Sequence, residues 1–370
     1  ANIEKRTTRG KLPVGMEYAL LPKENRGDAV NATLTFRFGT LESLQGKSTV
    51  SGFTASLLNR GTATKNRQQI KEELDRLKAR VNFFGSASTT TVNIETDREH
   101  LAETIRLVGE ILKTATFPQE EFEKDKQEYI TRLDEQKTDP NALAANLYDR
   151  ISNPEYPKTD PRYTMTFEEE IASVEAVTPD QIKAFHKQFY GASNATAAVV
   201  GDFDKAEIEK TLRETFGNWK SPSKYERIAE DYKPVPVRTE QILTPDKSNA
   251  VYMAGFGFPM RNEDPEYPAL TIGGQILGGG FLNSRLATRI RQKDGLSYTV
   301  RGSFSASTLD KNASFNGFMI YNPENLAKLE VAFREEIERA AKEGFTAEEL
   351  EAAKSGWLKS RKMNRSNDSG

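Results

Sequence analysis

The sequence predicts an α+β protein of two homologous domains, each a mainly antiparallel sheet with helices on one face, the second domain truncated. Three observations point there. Residues 91–124 (TVNIETDREHLAETIRLVGEILKTATFPQEEFEK) and 317–352 (GFMIYNPENLAKLEVAFREEIERAAKEGFTAEELEA) follow one plan: a strand, an amphipathic helix, then Phe-x-x-Glu-Glu-[Phe/Leu]-Glu opening another helix. The two motifs start at Phe117 and Phe345, 228 residues apart. Upstream, NATLTFRFG at 31–39 and NAVYMAGFG at 249–257 stand 218 residues apart, and a chain of 370 residues calls for more than one core.

The elements follow in order. Residues 47–62, KSTVSGFTASLLNRGT, read as an apolar helix ending in Asn-Arg-Gly-Thr. Ile70, Leu74, Leu77 and Val81 mark a further helix stripe, Val92 and Ile94 alternate like a half-buried strand, and Leu101, Ile105, Val108 and Leu112 keep helical spacing. The charged stretch 117–139 alternates in sign and reads as a solvated helix face. VVGDFD at 199–204 reads as the last strand and turn of a first domain, 1–217. Residues 218–248 carry Pro222, Pro234, Pro236 and Pro245 among charged residues and form the expected linker to a second domain, 249–370. There Gly278-Gly279-Gly280 reads as a flexible or tightly turned segment before a helix at Ser284-Arg285-Leu286; no Lys-Ser/Thr follows, which disfavours a phosphate loop. Asn322-Pro323 is a helix cap with proline at the first helical position. The first copy runs 100 residues past Phe117 to Gly217, and the second only 25 past Phe345. Roughly 70 or more residues of the second domain are therefore expected to be missing after the polar ending SNDSG.

Composition sets the remaining bounds. A 36% hydrophobic, 29% charged chain of net charge −2 suits a well-solvated globular protein and offers no electrostatic footprint for nucleic acid. No apolar run reaches the ~18–20 residues of a membrane span. Without cysteine there are neither disulfides nor thiolate metal sites, and the compartment stays open. The start at Ala1 is expected for a processed protein or an excised piece.

Residues 47–62 and 278–299 (GGGFLNSRLATRIRQKDGLSYT) together resemble the two signature regions of the insulinase/pitrilysin-type zinc metallopeptidases, the inverzincins. TDP at 138–140 and VVGDF at 199–203 extend the likeness along nearly the whole chain. In that family His-x-x-Glu-His precedes such a Gly-Thr. Carried back from Gly61, its first His falls on Gly52, its Glu on Ala55 and its second His on Ser56, and the third ligand falls near Thr131 or Arg132. Two imidazoles, a carboxylate ligand and a base are what this zinc chemistry needs, and none stands at these positions. His100 and His186, the only histidines, lie 86 residues apart on different predicted helices and read as surface or interhelix positions; Glu128 and Asp134 read as solvated helix charges. No metal is expected on this chain, and zinc is expected on a partner half.

The second signature survives. The resemblance gives Arg291 and Tyr298 the role of reaching a peptide at the zinc site, where guanidinium and phenol donate to its carbonyl and stabilise the developing oxyanion. Gly295 permits the turn between them. The implied function is the noncatalytic half of a clamshell zinc metallopeptidase. Its zinc-bearing half lies upstream in the same polypeptide or in a separate subunit, and the pair encloses a peptide selected by chamber size and edge-strand pairing. The alternative is a structural or binding subunit that has left peptidase work. With no cysteine and no Gly-x-Ser-x-Gly, an independent hydrolase is least favoured, and the isolated chain is expected to be inactive. A periplasmic setting is favoured if this is a secreted bacterial peptidase.

Overall fold

The computed structural model describes residues 3–25 and 27–365; the start at Ala1 and the ending at 366–370 lie outside them. The chain opens with a short helix α1 (Ile3–Arg6) and strands β1 (Thr8–Lys11), β2 (Glu17–Pro22) and β3 (Ala29–Arg37). Helices α2 (Ser48–Leu57) and α3 (Arg67–Arg76) lead to strands β4 (Arg80–Gly85) and β5 (Thr89–Asp97). Five helices follow, α4 (Leu101–Thr114), α5 (Gln119–Gln136), α6 (Pro140–Ser152), α7 (Phe167–Ala176) and α8 (Pro179–Phe189), then β6 (Ala195–Gly201) and α9 (Lys205–Phe216). Beyond a stretch without helix or strand come β7 (Ala250–Phe258), α10 (Tyr267–Gly274) and π-helical turns at Gln275–Gly279 and Ala287–Lys293. Strands β8 (Ser297–Ala306) and β9 (Ala313–Tyr321) and helices α11 (Leu326–Glu343) and α12 (Ala347–Asn364) complete the described residues.

The fold is α+β. The first sheet orders its strands β1-β2-β6-β3-β5-β4, with only β2 and β6 parallel. The second orders them β7-β9-β8, all antiparallel. Both contain the same unit: the first strand of the copy (β3 or β7) pairs with the third (β5 or β9), and the second (β4 or β8) forms an edge. The alternation read from the sequence is what buries each sheet on one face. Val30, Leu34, Phe36, Val92 and Ile94 pack in one cluster with Leu101, Ile105, Val108 and Leu112 of α4. Val300, Phe315 and Met319 pack in a smaller one with Leu329 and Phe333 of α11. Each such side chain, fully buried, stabilises the fold by about 1.5–3 kcal/mol.

One stripe departs from expectation. Ile70 and Leu74 lie on α3, but the helix closes at Leu77 and Val81 belongs to β4, opposite Ile94. Lys78 takes a left-handed conformation (φ 46°), which ends the helix and turns the chain into the strand. Asp139 caps α6, its carboxylate accepting from the Ala142 N–H at 2.8 Å.

The repeated Phe-x-x-Glu-Glu motif has a physical reason. Its second glutamate, in the first turn of α5 or α12, grips an arginine from the segment ahead of the strands. Arg67 donates to Glu121 at 2.9 Å, and Arg285 donates through Nε and Nη2 to Glu349 at 2.7 Å each. The arginines are 218 residues apart and the glutamates 228, the two offsets of the repeat. A carboxylate at a helix N-terminus is favoured by the helix dipole as well as by its cation.

The segment between the sheets is tied to both. The Glu226 N–H donates to the Gly39 carbonyl at 2.9 Å, beside the end of β3. Arg227 pairs Asp310 through two bonds of 2.8 and 2.7 Å, and Asp231 and Tyr232 both bond the backbone of Lys311 in the β8–β9 turn. Arg227 holds the buried Asp310 carboxyl below its ordinary range. Tyr148 of α6 adds a further tie, donating to Asn316 of β9 at 2.5 Å. Among the described residues no helix is long and apolar enough to cross a membrane.

Candidate functional site

Two corners carry the residues singled out by sequence, and both sit where a helix meets the edge strand of its sheet. At the first, α2 lies against β4. Ala55 is fully buried, Gly52 is half-buried, and Ser56 is exposed with its hydroxyl turned back to the Phe53 carbonyl at 3.0 Å. A Cβ added to Gly85 of β4 would stand 2.6 Å from the Ala55 Cβ and 3.3 Å from the Gly52 Cα. The small side chains let helix and strand approach this closely.

Helix α5, which carries the third-ligand positions, meets α2 through rings. Phe53 lies 5.3 Å from the Tyr129 ring and 6.3 Å from that of Phe122. Burial, reinforced by its 2.5 Å bond to Glu170, pushes the Tyr129 phenol well above its ordinary pKa. The Thr131 hydroxyl is spent on the Gln127 carbonyl of its own helix, and the Arg132 guanidinium stacks over Tyr129 at 4.8 Å. Arg60 bonds Asp125 at 3.2–3.3 Å; burial raises the Asp125 pKa, and the cation opposes that rise. The Gly-Thr after α2 is fixed by Glu110, which accepts from Thr62 at 3.0 Å, Thr64 at 2.6 Å and Lys65 at 2.7 Å.

A zinc ion needs at least three converging N, O or S ligands. Among the described residues no group of three or more His, Asp or Glu side chains can hold a metal. The residues at the family's metal positions therefore do not fit zinc. The histidines are committed elsewhere. His100 Nδ1 lies 2.5 Å from Asp97, and His186 donates from Nε2 to the Leu112 carbonyl at 2.7 Å, between the rings of Phe117 and Tyr190. Burial lowers the His186 pKa and favours the neutral ring. Glu128 and Asp134 are exposed on α5.

The second corner is built by the π-helical turn and β8. Ile290 is buried and anchors the turn. Gly295, at φ 62°, reverses the chain, and the Leu296 N–H returns to the Ile290 carbonyl at 2.8 Å. Strand β8 thus starts beside the turn that carries Arg291. Ser297 pairs opposite Tyr321 and Thr299 opposite Ile320, leaving Tyr298 as the extra residue of a β-bulge. A bulge re-aims a side chain that a regular ladder would hold in register. Tyr298 is 58% exposed and Arg291 is exposed. Neither has a hydrogen-bond or ion-pair partner among the described residues.

Two neighbouring cations, Arg285 and Arg289, are neutralised. Arg285 is held by Glu349 and lies over the Phe345 ring at 4.8 Å, and Arg289 is held by Glu335 at 3.0 Å and Asp294 at 2.8 Å. Gly278 passes Gly302 of β8 so closely that a Cβ there would sit 2.4 Å from the Gly302 Cα, so the glycine run serves close packing. The bulge and the Arg285–Glu349 anchor are the structural features of this corner that sequence reasoning missed. Only the second left a signal, in the paired offsets of the repeat.

Residues 18–157 match the profile of the insulinase family, peptidase family M16, and residues 176–356 that of the peptidase M16 inactive domain. An uncharacterized zinc protease of Rickettsia felis is 23% identical over 309 residues, covering 83% of this chain and 71% of the relative. The peptidase M16 inactive domain from Pseudomonas fluorescens has a similar fold, with a TM-score of 0.79 at 21% identity over 96% of this chain and 84% of that one. The periplasmic protease PqqL from Escherichia coli aligns with a TM-score of 0.70 at 20% identity, over 97% of this chain and 40% of its own length. With these two profiles together covering most of its length, the chain belongs to the insulinase-type M16 peptidase family.

Proposed function

We propose that this chain is the noncatalytic half of a clamshell zinc metallopeptidase, lending peptide binding and transition-state stabilisation to a zinc-bearing half. The observation that carries the reading is the contrast between the corners: the metal positions hold no ligand and Ala55 among them is sealed against β4, while Arg291 on the turn and Tyr298 at the bulge stand exposed, without partners among the described residues. Solvating a long cation and a phenol at one corner adds nothing to a core, and both are suited to a carbonyl oxygen that becomes an oxyanion. Arg291 supplies a permanent charge and Tyr298 a directional O–H donor. Such donors act on charge that develops after the peptide is bound, so they bear on turnover more than on affinity.

The two copies of the three-strand unit support a division into 1–217 and 249–370, joined by 218–248. That this chain matches 40% of the length of PqqL supports placing the zinc-bearing half in a further stretch of the same polypeptide or in a partner subunit. Strand β4, paired only with β5, and strand β8, paired only with β9, are edges beside the two corners on which an extended peptide would add a strand. The experiment is reconstitution: the zinc-bearing half alone, then with this chain, assayed on fluorogenic peptides. Turnover that rises with this chain and falls with Arg291→Ala supports the reading. Turnover indifferent to both substitutions at Arg291 and Tyr298 transfers the case to a structural or binding subunit, which the filled first corner favours.

A further inference from the structure

We infer that the second corner selects peptides bearing an acidic side chain near the contacted bond, and that Arg301 is the residue that pairs it; this rests on the Arg291/Tyr298 reading above. The register of β8 carries the argument. Val300 and Gly302 stand opposite Met319 and Gly317 on the face packed by α11, so Thr299, Arg301 and Ser303 point to the opposite face, which α6 meets at Asn316 through Tyr148. The bulge puts Tyr298 on that outer side too, because Ser297 before it is buried and Thr299 after it faces outward opposite Ile320. Tyr298 and Arg301 therefore share one face of one strand.

Charge is left over on that face. Arg301 is exposed and, among the described residues, has no hydrogen-bond or ion-pair partner, unlike Arg285 and Arg289. The outward residues of β9 (Ser314, Asn316, Phe318 and Ile320) include no acid, nor do those of β8. Arg291 and Lys293, also exposed and without partners among the described residues, lie on the turn that precedes the strand. In a chain of net charge −2, the turn and strand that carry Tyr298 thus hold three cations without partners among the described residues. A planar guanidinium over an uncharged sheet face is the natural partner of a carboxylate. Three residues of strand span about 10 Å, so an extended peptide touching Tyr298 would bring a side chain over Arg301 about three residues away.

The test uses the whole chain without any zinc-bearing half. Fluorescein-labelled extended peptides differing only in Glu, Gln or Lys three residues from a central Ala-Ala, on either side, are titrated by fluorescence anisotropy at low salt. The Glu peptide is expected to bind about two- to fivefold more tightly than Gln, as an exposed ion pair allows, with Lys weaker still. The preference should fade toward 1 M salt, where screening reaches about 3 Å. Arg301→Glu should invert the order, while Lys183→Glu, an equal charge change on α8, should leave it intact. Equal affinity for the three peptides, no measurable binding, or an order erased by Lys183→Glu as fully as by Arg301→Glu overturns the inference. A preference that depends on Arg301, alongside full turnover by Arg291→Ala and Tyr298→Phe complexes, sinks the transition-state reading alone. Loss of the preference with turnover still dependent on the pair sinks this inference alone.

Discussion

The two corners stand on one plan: a helical segment after the first strand of the unit, pressed onto an edge strand through small residues. In the first half that contact is Ala55 and Gly52 against Gly85; in the second it is Gly278 against Gly302. The halves differ in what was done with the residues around the contact. At α2 and β4 the side chains turn inward, with Phe53, Phe122 and Tyr129 joined and Ala55 sealed. At the π-helical turn and β8 they turn outward, with Arg291, Tyr298 and Arg301 in solvent. The same scaffold serves as packing in one copy and as a polar surface in the other. A repeated fold thus leaves each copy free to change at its edge while its core strands stay fixed.

The comparison breaks most easily at Phe53. Phe53→Ala removes a buried ring from two aromatic neighbours and should cost about 3–5 kcal/mol in chemical denaturation. A loss below about 1 kcal/mol would mean that the first corner is not held by packing. The next effect belongs to the second corner. In a reconstituted complex Arg291→Ala and Tyr298→Phe should each lower kcat by about 10²–10³, with KM and the thermal midpoint nearly unchanged, since both side chains lie in solvent. Steady-state kinetics beside thermal melts checks this, and a lowered melting point with intact kcat would make the pair structural.

A smaller effect sharpens the contrast at the strand. Gly85→Ala drives a methyl into the Ala55 Cβ at 2.6 Å and should destabilise by about 1–3 kcal/mol, measured by urea unfolding. Writing His, Glu and His into positions 52, 55 and 56 meets that wall at position 55, where the glutamate would replace the sealed Ala55. The triple variant should lower stability without binding one zinc per chain, as metal analysis after dialysis would show.

The smallest effect is a pH dependence. Arg285 holds the Glu349 carboxyl at about 2, against an ordinary value of 4.5. Because the folded value is the lower one, the stabilisation is complete above 4.5 and is lost as pH falls from there through about 2. Glu349 is partly solvated, so the loss should be about 1 kcal/mol. Glu349→Gln should flatten the stability curve between pH 5 and pH 2, and an unchanged slope in that variant would show the pair contributes nothing.

Much of the fold was legible because burial writes itself into alternation. Val92 with Ile94 and the stripe from Leu101 to Leu112 are strand and helix for the reason their spacing suggests. The copied motif at Phe117 and Phe345 was legible too, since both glutamates answer to an arginine. Val81 was not, because the left-handed Lys78 that separates it from α3 has no signature in a lysine codon. Arg291 and Tyr298 were legible as residues but not as geometry. The bulge that exposes Tyr298 depends on how β8 registers against β9, a relation between strands that neither strand states alone.

The ties between 225 and 232 set where this molecule can bend. Glu226 is fastened beside β3, while Arg227 and Tyr232 are fastened to the β8–β9 turn. A load applied to either sheet passes through these bonds to the other, and Tyr148 offers a parallel path through α6. These ties favour motion of the two sheets as one jaw over motion as two leaves on a hinge. In a clamshell of the kind proposed, the compliance that admits a peptide must then reside at the junction with the other half, and the breathing rate belongs to that junction.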